Sequence, residues 1–225
     1  MDYYFLSKTI LFRGTSPEEI EAMLGCLNAE TRWFQRGSAI YHAGDVITSI
    51  GLVLSGSVSI ENDDVWGNKS ILDKVGPGQV FAETYACVPS EPLMISVMAA
   101  ETTEVLFLDV SRILHICSTA CGFHSKLIRN LLAISSQKNL NLSRRIFHTS
   151  SKSIRGRLLS YLSFQATQHG SRDFEIPFNR QQLADYLSVD RSAMSNELSK
   201  MQRDGLLRVE RNHFSLTGIE PEASF

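Results

Sequence analysis

Residues 179–206 read NRQQLADYLSVDRSAMSNELSKMQRDGL, a run with two short helix signals, a tight polar turn between them and a stop. Asn179 is a strong N-cap, with Gln182 at the spacing of a capping-box partner. Leu183, Ala184 and Leu187 give the helix that follows one apolar face. Ser188-Val189-Asp190 breaks it, and Asp190 caps a second helix from Arg191. Met194, Leu198 and Met201 recur at helical spacing, so they form the buried stripe. Arg191, Ser192, Ser195, Asn196 and Ser199 fall on the opposite face. Gly205 ends the helix. Two short helices joined by a tight polar turn occur in many folds. The exposed face here is short, polar and rich in hydrogen-bonding groups, without the Glu/Lys texture of a merely solvated helix. The expectation is a helix-turn-helix whose second helix enters the DNA major groove.

The next residues support it. Leu206–Arg211 and His213–Leu216 alternate apolar and polar around Asn212, which predicts a small hairpin placed as the wing of a winged helix. Arg180, Arg208, Arg211 and Asn212 are the candidate phosphate contacts. Charge is distributed accordingly. The formal net charge is −2, yet residues 151–215 hold ten Lys/Arg against seven Asp/Glu, leaving twelve against seventeen elsewhere. A mildly basic C-terminal module on an acidic body suits modest attraction to a duplex.

No apolar run reaches the ~18 residues of a membrane span. The N-terminus MDYYFLSKTILFRG carries an acid at position 2 and no cleavage pattern, so a cytoplasmic protein is expected. Cys26, Cys87, Cys117 and Cys121 are then unlike structural disulfides. Cys117 and Cys121, four apart with His115 and His124 nearby, fit ordinary thiols better than a redox or metal pair. No metal, P-loop, dinucleotide or nucleophile-elbow signature is present, so no cofactor and no catalytic residue is assigned.

The first 110 residues differ in texture. Thr15-Ser16-Pro17-Glu18-Glu19 starts a helix with Ile20, Met23, Leu24 and Leu27 as its apolar face. From Thr31, short segments rich in Val, Ile, Phe and Thr alternate with Gly at positions 37, 44, 51, 56, 67, 76 and 78. Expected strands are 31–34, 39–41, 49–55, 57–61, 70–75, 79–81, 94–100 and 103–109, the pattern of a barrel or sandwich. A helix from Ser111 to Ser143 or beyond follows, with a break at 118–122. Its stripe, Phe123, Leu127, Leu131 and Ile134 with Ile128 and Leu132 beside them, exceeds what one small domain buries, which predicts a homodimer. His148–Ser153 is polar and helix-weak, the expected hinge. Ile154–Ala166 opens the last domain. The expected division is 1–110, 111–150 and 151–225, in an α+β chain.

FQRGSAIYHAGDVITSIGLVLSGSVSIE and ILDKVGPGQVFAE resemble the β-roll of the Crp/Fnr superfamily of bacterial transcription regulators. The marks are Gly37, the Gly44-Asp45 turn, Ser55-Gly56, and Pro77-Gly78 ahead of Phe81-Ala82-Glu83. The resemblance continues through the long helix into the winged helix and covers nearly the whole chain. It implies a double-stranded β-helix sensor, a dimerisation helix, an inverted-repeat DNA operator and RNA polymerase as a further partner. It also implies that base reading falls on Arg191, Ser192, Ser195 and Asn196. In members that bind cyclic AMP, a phosphate-binding cassette places its glycine where Ala82 stands and its ribose-binding glutamate at Glu83. Its Arg-Ser or Arg-Thr pair falls on Leu93-Met94. No Arg or Lys lies between Lys74 and Arg112. A buried phosphate without a cation is poorly stabilised, so tight cyclic-nucleotide binding is not expected. Glu83, Thr84, Leu93, Met94, Gln137 and Lys138 are the candidate pocket for a different small effector, with Lys138 the nearest cation. The N-terminal cysteine cluster of iron–sulfur members is absent, and nothing favours His42, His115 or His124 as haem ligands. The competing reading is a cyclic-nucleotide-binding-like module that regulates another protein.

Overall fold

A computed structural model describes residues 1–63, 69–114 and 122–217. The expected thiol pair Cys117–Cys121 and His115 lie outside the described residues. The elements are α1 (Tyr3–Lys8), α2 (Pro17–Cys26), β1 (Glu30–Phe34), β2 (Ala39–Tyr41), β3 (Ser49–Ser55), β4 (Val58–Asp63), β5 (Lys69–Val75), β6 (Val80–Phe81), α3 (Glu83–Ala86), β7 (Ser96–Ala99), β8 (Thr103–Asp109) and α4 (Val110–Leu114). There follow α5 (Gly122–Thr149), α6 (Ile154–His169), β9 (Asp173–Glu175), α7 (Arg180–Leu187), α8 (Arg191–Arg203), β10 (Leu207–Glu210) and β11 (His213–Leu216).

In the N-terminal unit two four-stranded antiparallel sheets, ordered β1-β8-β3-β6 and β2-β7-β4-β5, face each other. Alternation gives each strand an inner and an outer face. Val53, Val58, Val75, Phe81, Val97, Val105 and Phe107 fill the space between the sheets. Phe81 packs against Gly51, where any Cβ would enter the ring. The outer face of the first sheet, with Ile50, Leu52, Leu106 and Leu108, packs on α1, α2 and the first turns of α5 through Leu6, Ile20, Leu127 and Leu131. A capping box holds the start of α2: Glu19 N–H donates to Ser16 Oγ, and Ser16 N–H donates to Glu19.

The C-terminal unit builds one core from Leu158, Tyr161, Leu162, Leu183, Leu187, Met194, Leu198, Met201 and Phe214. Its sheet runs β10-β11-β9. The two compact units divide between Gln137 and Lys138, inside α5. The sequence placed the hinge later, at His148–Ser153. The division comes earlier because the end of α5 packs on α6 and α7: His148 is 1 % exposed and meets Tyr161, Phe164 and Tyr186.

Candidate nucleic-acid interface

Caps fix both helices of the 179–206 segment. Asn179 Oδ1 accepts from Gln182 N–H while the Gln182 side chain accepts from Asn179 N–H. Asp190 Oδ1 accepts from Ala193 N–H at 2.8 Å and from Ser192 Oγ at 2.5 Å, and these bonds hold the Asp190 carboxyl below its ordinary range. Between the helices Ser188 takes the left-handed conformation, at φ 54°. Met194, Leu198 and Met201 bury the inner face of α8.

Arg191, Ser192, Asn196 and Ser199 are exposed on the outer face, and Ser195 is half-buried. Ser195 Oγ donates to Arg191 O and Ser199 Oγ to Ser195 O, so these hydroxyls present acceptor lone pairs outward. Glu197 is turned aside. It pairs with Arg155 of α6 at 2.6 Å, and Arg155 also reaches Asp204 at 2.8 Å, which fixes the roll of α8.

The flanking cations divide into two kinds. Arg208 and Arg211 are exposed, and Arg211 sits at the tip of the β10–β11 hairpin with φ 53°. Arg180, at the first position of α7, is half-buried over the Phe214 ring, 5.4 Å from its centroid, and burial lowers its pKa. A groove of about 470 Å³ lies between them, lined by Pro177, Phe178, Asn179, Arg180, Gln182, Arg211 and Asn212. Asn212 has a structural bond within it: its Nδ2 donates to Ile176 O at 3.2 Å.

Sequence reasoning missed the supports behind this surface. Arg145 donates to the carbonyls of Asp185 and Tyr186, each at 3.2 Å. Arg157 donates to Leu187 O, Ser188 O and Ser151 O at 3.0, 2.8 and 2.8 Å. Together they satisfy the carbonyls of Tyr186, Leu187 and Ser188 at the end of α7 and add to Asp185 O, which also accepts from Ser188 N–H. The partners at the end of α7 lie 30–41 positions from these arginines, so no local pattern announces them.

The expected effector residues are less uniform. Ala82 takes a left-handed φ of 63° at the position where the resemblance places glycine. Glu83 begins α3 at 2 % exposure. Leu93 is 3 % exposed and tied to the Gly44-Asp45 turn: Gly44 N–H donates to Leu93 O, and Leu93 N–H to Asp45 O. Thr84 and Gln137 are exposed, as is Met94 at 74 %, and Lys138 belongs to the C-terminal unit. The N-terminal unit therefore does not bring the six into one uniformly buried cluster. Of the three histidines weighed and not favoured as haem ligands, His42 is exposed and His124 is buried in α5. No group of three metal-binding side chains occurs among the described residues.

A cyclic nucleotide-binding domain profile matches residues 31–120, and a Crp-like helix-turn-helix domain profile matches residues 156–221. The cyclic AMP receptor protein of Thermus thermophilus is 33% identical over 98 residues, covering 44% of each chain. The chain thus spans less than half the length of that relative. The transcriptional activator protein FnrA of Stutzerimonas stutzeri is 22% identical over 184 residues, 80% of this chain and 73% of its own. The crystal structure of the Thermus thermophilus catabolite activator protein shares the fold, with a TM-score of 0.51 and 22% identity over 92% of this chain and 93% of its own.

Proposed function

The chain belongs to the Crp/Fnr superfamily, and we propose on that footing that it is a dimeric, sequence-specific DNA-binding transcription regulator, controlled by a small effector other than a cyclic nucleotide or by redox state. The observation that carries DNA reading is the outer face of α8. A capped helix presents Arg191, Ser192 and Asn196 to solvent beside Arg180, Arg208 and Arg211. The N-terminal turn of α8 enters the major groove, while the flanking arginines hold phosphates and set the register. Arg suits guanine and Asn suits adenine. Ser192 stands where many members carry Glu, and Asn196 where they carry Arg, so the half-site departs from theirs.

Dimerisation follows from α5. Leu132, Leu140, Leu142 and Ile146 are 65, 51, 62 and 68 % exposed on this helix, an apolar surface that a second copy covers. Two recognition helices about 34 Å apart then read an inverted repeat. Effector binding shifts the population between placements that match this spacing and those that do not. RNA polymerase is the further partner, the cytoplasm the setting, and no catalytic step is involved.

Mobility-shift assays with genomic fragments test the reading, and retention of an inverted-repeat fragment is expected. Calorimetry with cyclic AMP is expected to show no binding at micromolar concentration, because Leu93 and Met94 supply no cation. Micromolar binding overturns the effector assignment and leaves DNA binding standing.

A further inference from the structure

A second pocket, of about 270 Å³, lies wholly within the C-terminal unit, where α5, α6 and α7 meet. Its walls are aromatic. Tyr161 stacks on Phe178 at 27° with centroids 6.1 Å apart, Phe178 meets Tyr186 at 5.1 Å, and Phe164 and Pro177 complete the lining. The polar lining is Asn141, Arg144 and Gln165, with no carboxylate.

Arg144 is the notable member. It is half-buried, its guanidinium lies 5.5 Å from the Phe164 centroid, and its Nη1 donates to Asn141 Oδ1 at 3.3 Å. It forms no ion pair among the described residues. A guanidinium already stacked and oriented loses little freedom when a carboxylate docks on it. A second observation points the same way. Behind the aromatic wall, Tyr161 Oη and His148 Nε2 are buried without a hydrogen-bond partner, in side chains 2 and 1 % exposed. Such atoms are costly when left unmet, and Tyr161 is itself part of the pocket lining.

From this geometry we infer that the pocket binds a small aromatic carboxylate. The ring lies against Phe178 and Tyr186, and the carboxylate pairs with Arg144 and accepts from the Tyr161 hydroxyl. Aromatic cages also take cations, but Arg144, with Arg145 on the same turn of α5, sets the sign against them. The volume lies just below the ~300–1,000 Å³ of drug-sized sites, which limits the ligand to one ring.

Calorimetric titration of the full chain with benzoate, without DNA, tests the inference. Saturable binding is expected, weakened about tenfold or more by Arg144→Gln and partly restored by Arg144→Lys. Tyr161→Phe keeps the ring and loses only the hydroxyl. It is expected to weaken benzoate binding while the free protein unfolds at no lower temperature than the parent, since an unmet buried hydroxyl is removed. Benzyl alcohol, which has the ring without the charge, is expected to bind the parent and Arg144→Gln alike. Absence of benzoate binding, or equal affinity in the parent and either Arg144→Gln or Tyr161→Phe, overturns the assignment.

Discussion

Asn196 and His148 show how differently two side chains of one unit are used. Asn196 is exposed at the second turn of α8, with no hydrogen bond that commits its amide among the described residues. Asn196→Ala is expected to relax preference at one base pair by about 1–3 kcal/mol, read as binding to a panel of half-site substitutions. Uniform weakening across the panel would assign Asn196 to the backbone instead. His148 is the reverse case. Burial, and then the charge of Arg144, hold its pKa below the ordinary 6.5. Its Nδ1 lies 2.9 Å from Tyr186 Oη. The unfolded chain takes up this proton near pH 6.5, and the folded unit does so only at lower pH. Stability is therefore unaffected in the alkaline range and is lost as pH falls through about 6.5 toward the folded value. Urea midpoints measured from about pH 8 to about pH 5 should fall, and His148→Gln should flatten the fall. The carboxyls of Asp173 and Asp190, held low by their hydrogen bonds, lose their contribution only at more acid pH. Arg191, Ser192 and Asn196 were legible from the sequence because α8 has a simple inside and outside. The surroundings of His148 were not, since its aromatic neighbours come from positions 161–186.

At the level of elements, several strands were read to the residue from their apolar and β-branched runs. The bounds of β2, β3 and β8 match those expected from the sequence. β9 was not anticipated: three residues, Asp173–Glu175, become a strand only by pairing with β11. α1 was likewise not separated from the N-terminal cap, its one local mark being Asp2, which accepts from Phe5 N–H. The end of α7 depends on groups far away in sequence, and this makes Arg157 an element-scale residue. Arg157→Met keeps most of the stem but strands the carbonyls of Leu187 and Ser188. The expected cost is about 2 kcal/mol of unfolding free energy, measured by urea denaturation of the full chain. A cost within a few tenths of a kcal/mol would mean that solvent replaces the guanidinium there.

For the whole molecule, α5 is the element that both units share. Its exposed apolar residues carry the dimer proposal, and Leu140→Glu is the direct probe. Sedimentation should shift from dimer to monomer, and retention of inverted-repeat DNA should fall with it. A dimer that survives the substitution would place the contact elsewhere. The sequence announced a long helix with an apolar stripe but could not show where one core ends and the next begins, because the polar run 135–139 belongs to neither pattern. Leu127 and Leu131 are buried in the first core, and His148 in the second. One continuous helix therefore supplies side chains to two separate cores. A substitution in α5 is thus felt by whichever core its position belongs to, not by the helix as a whole.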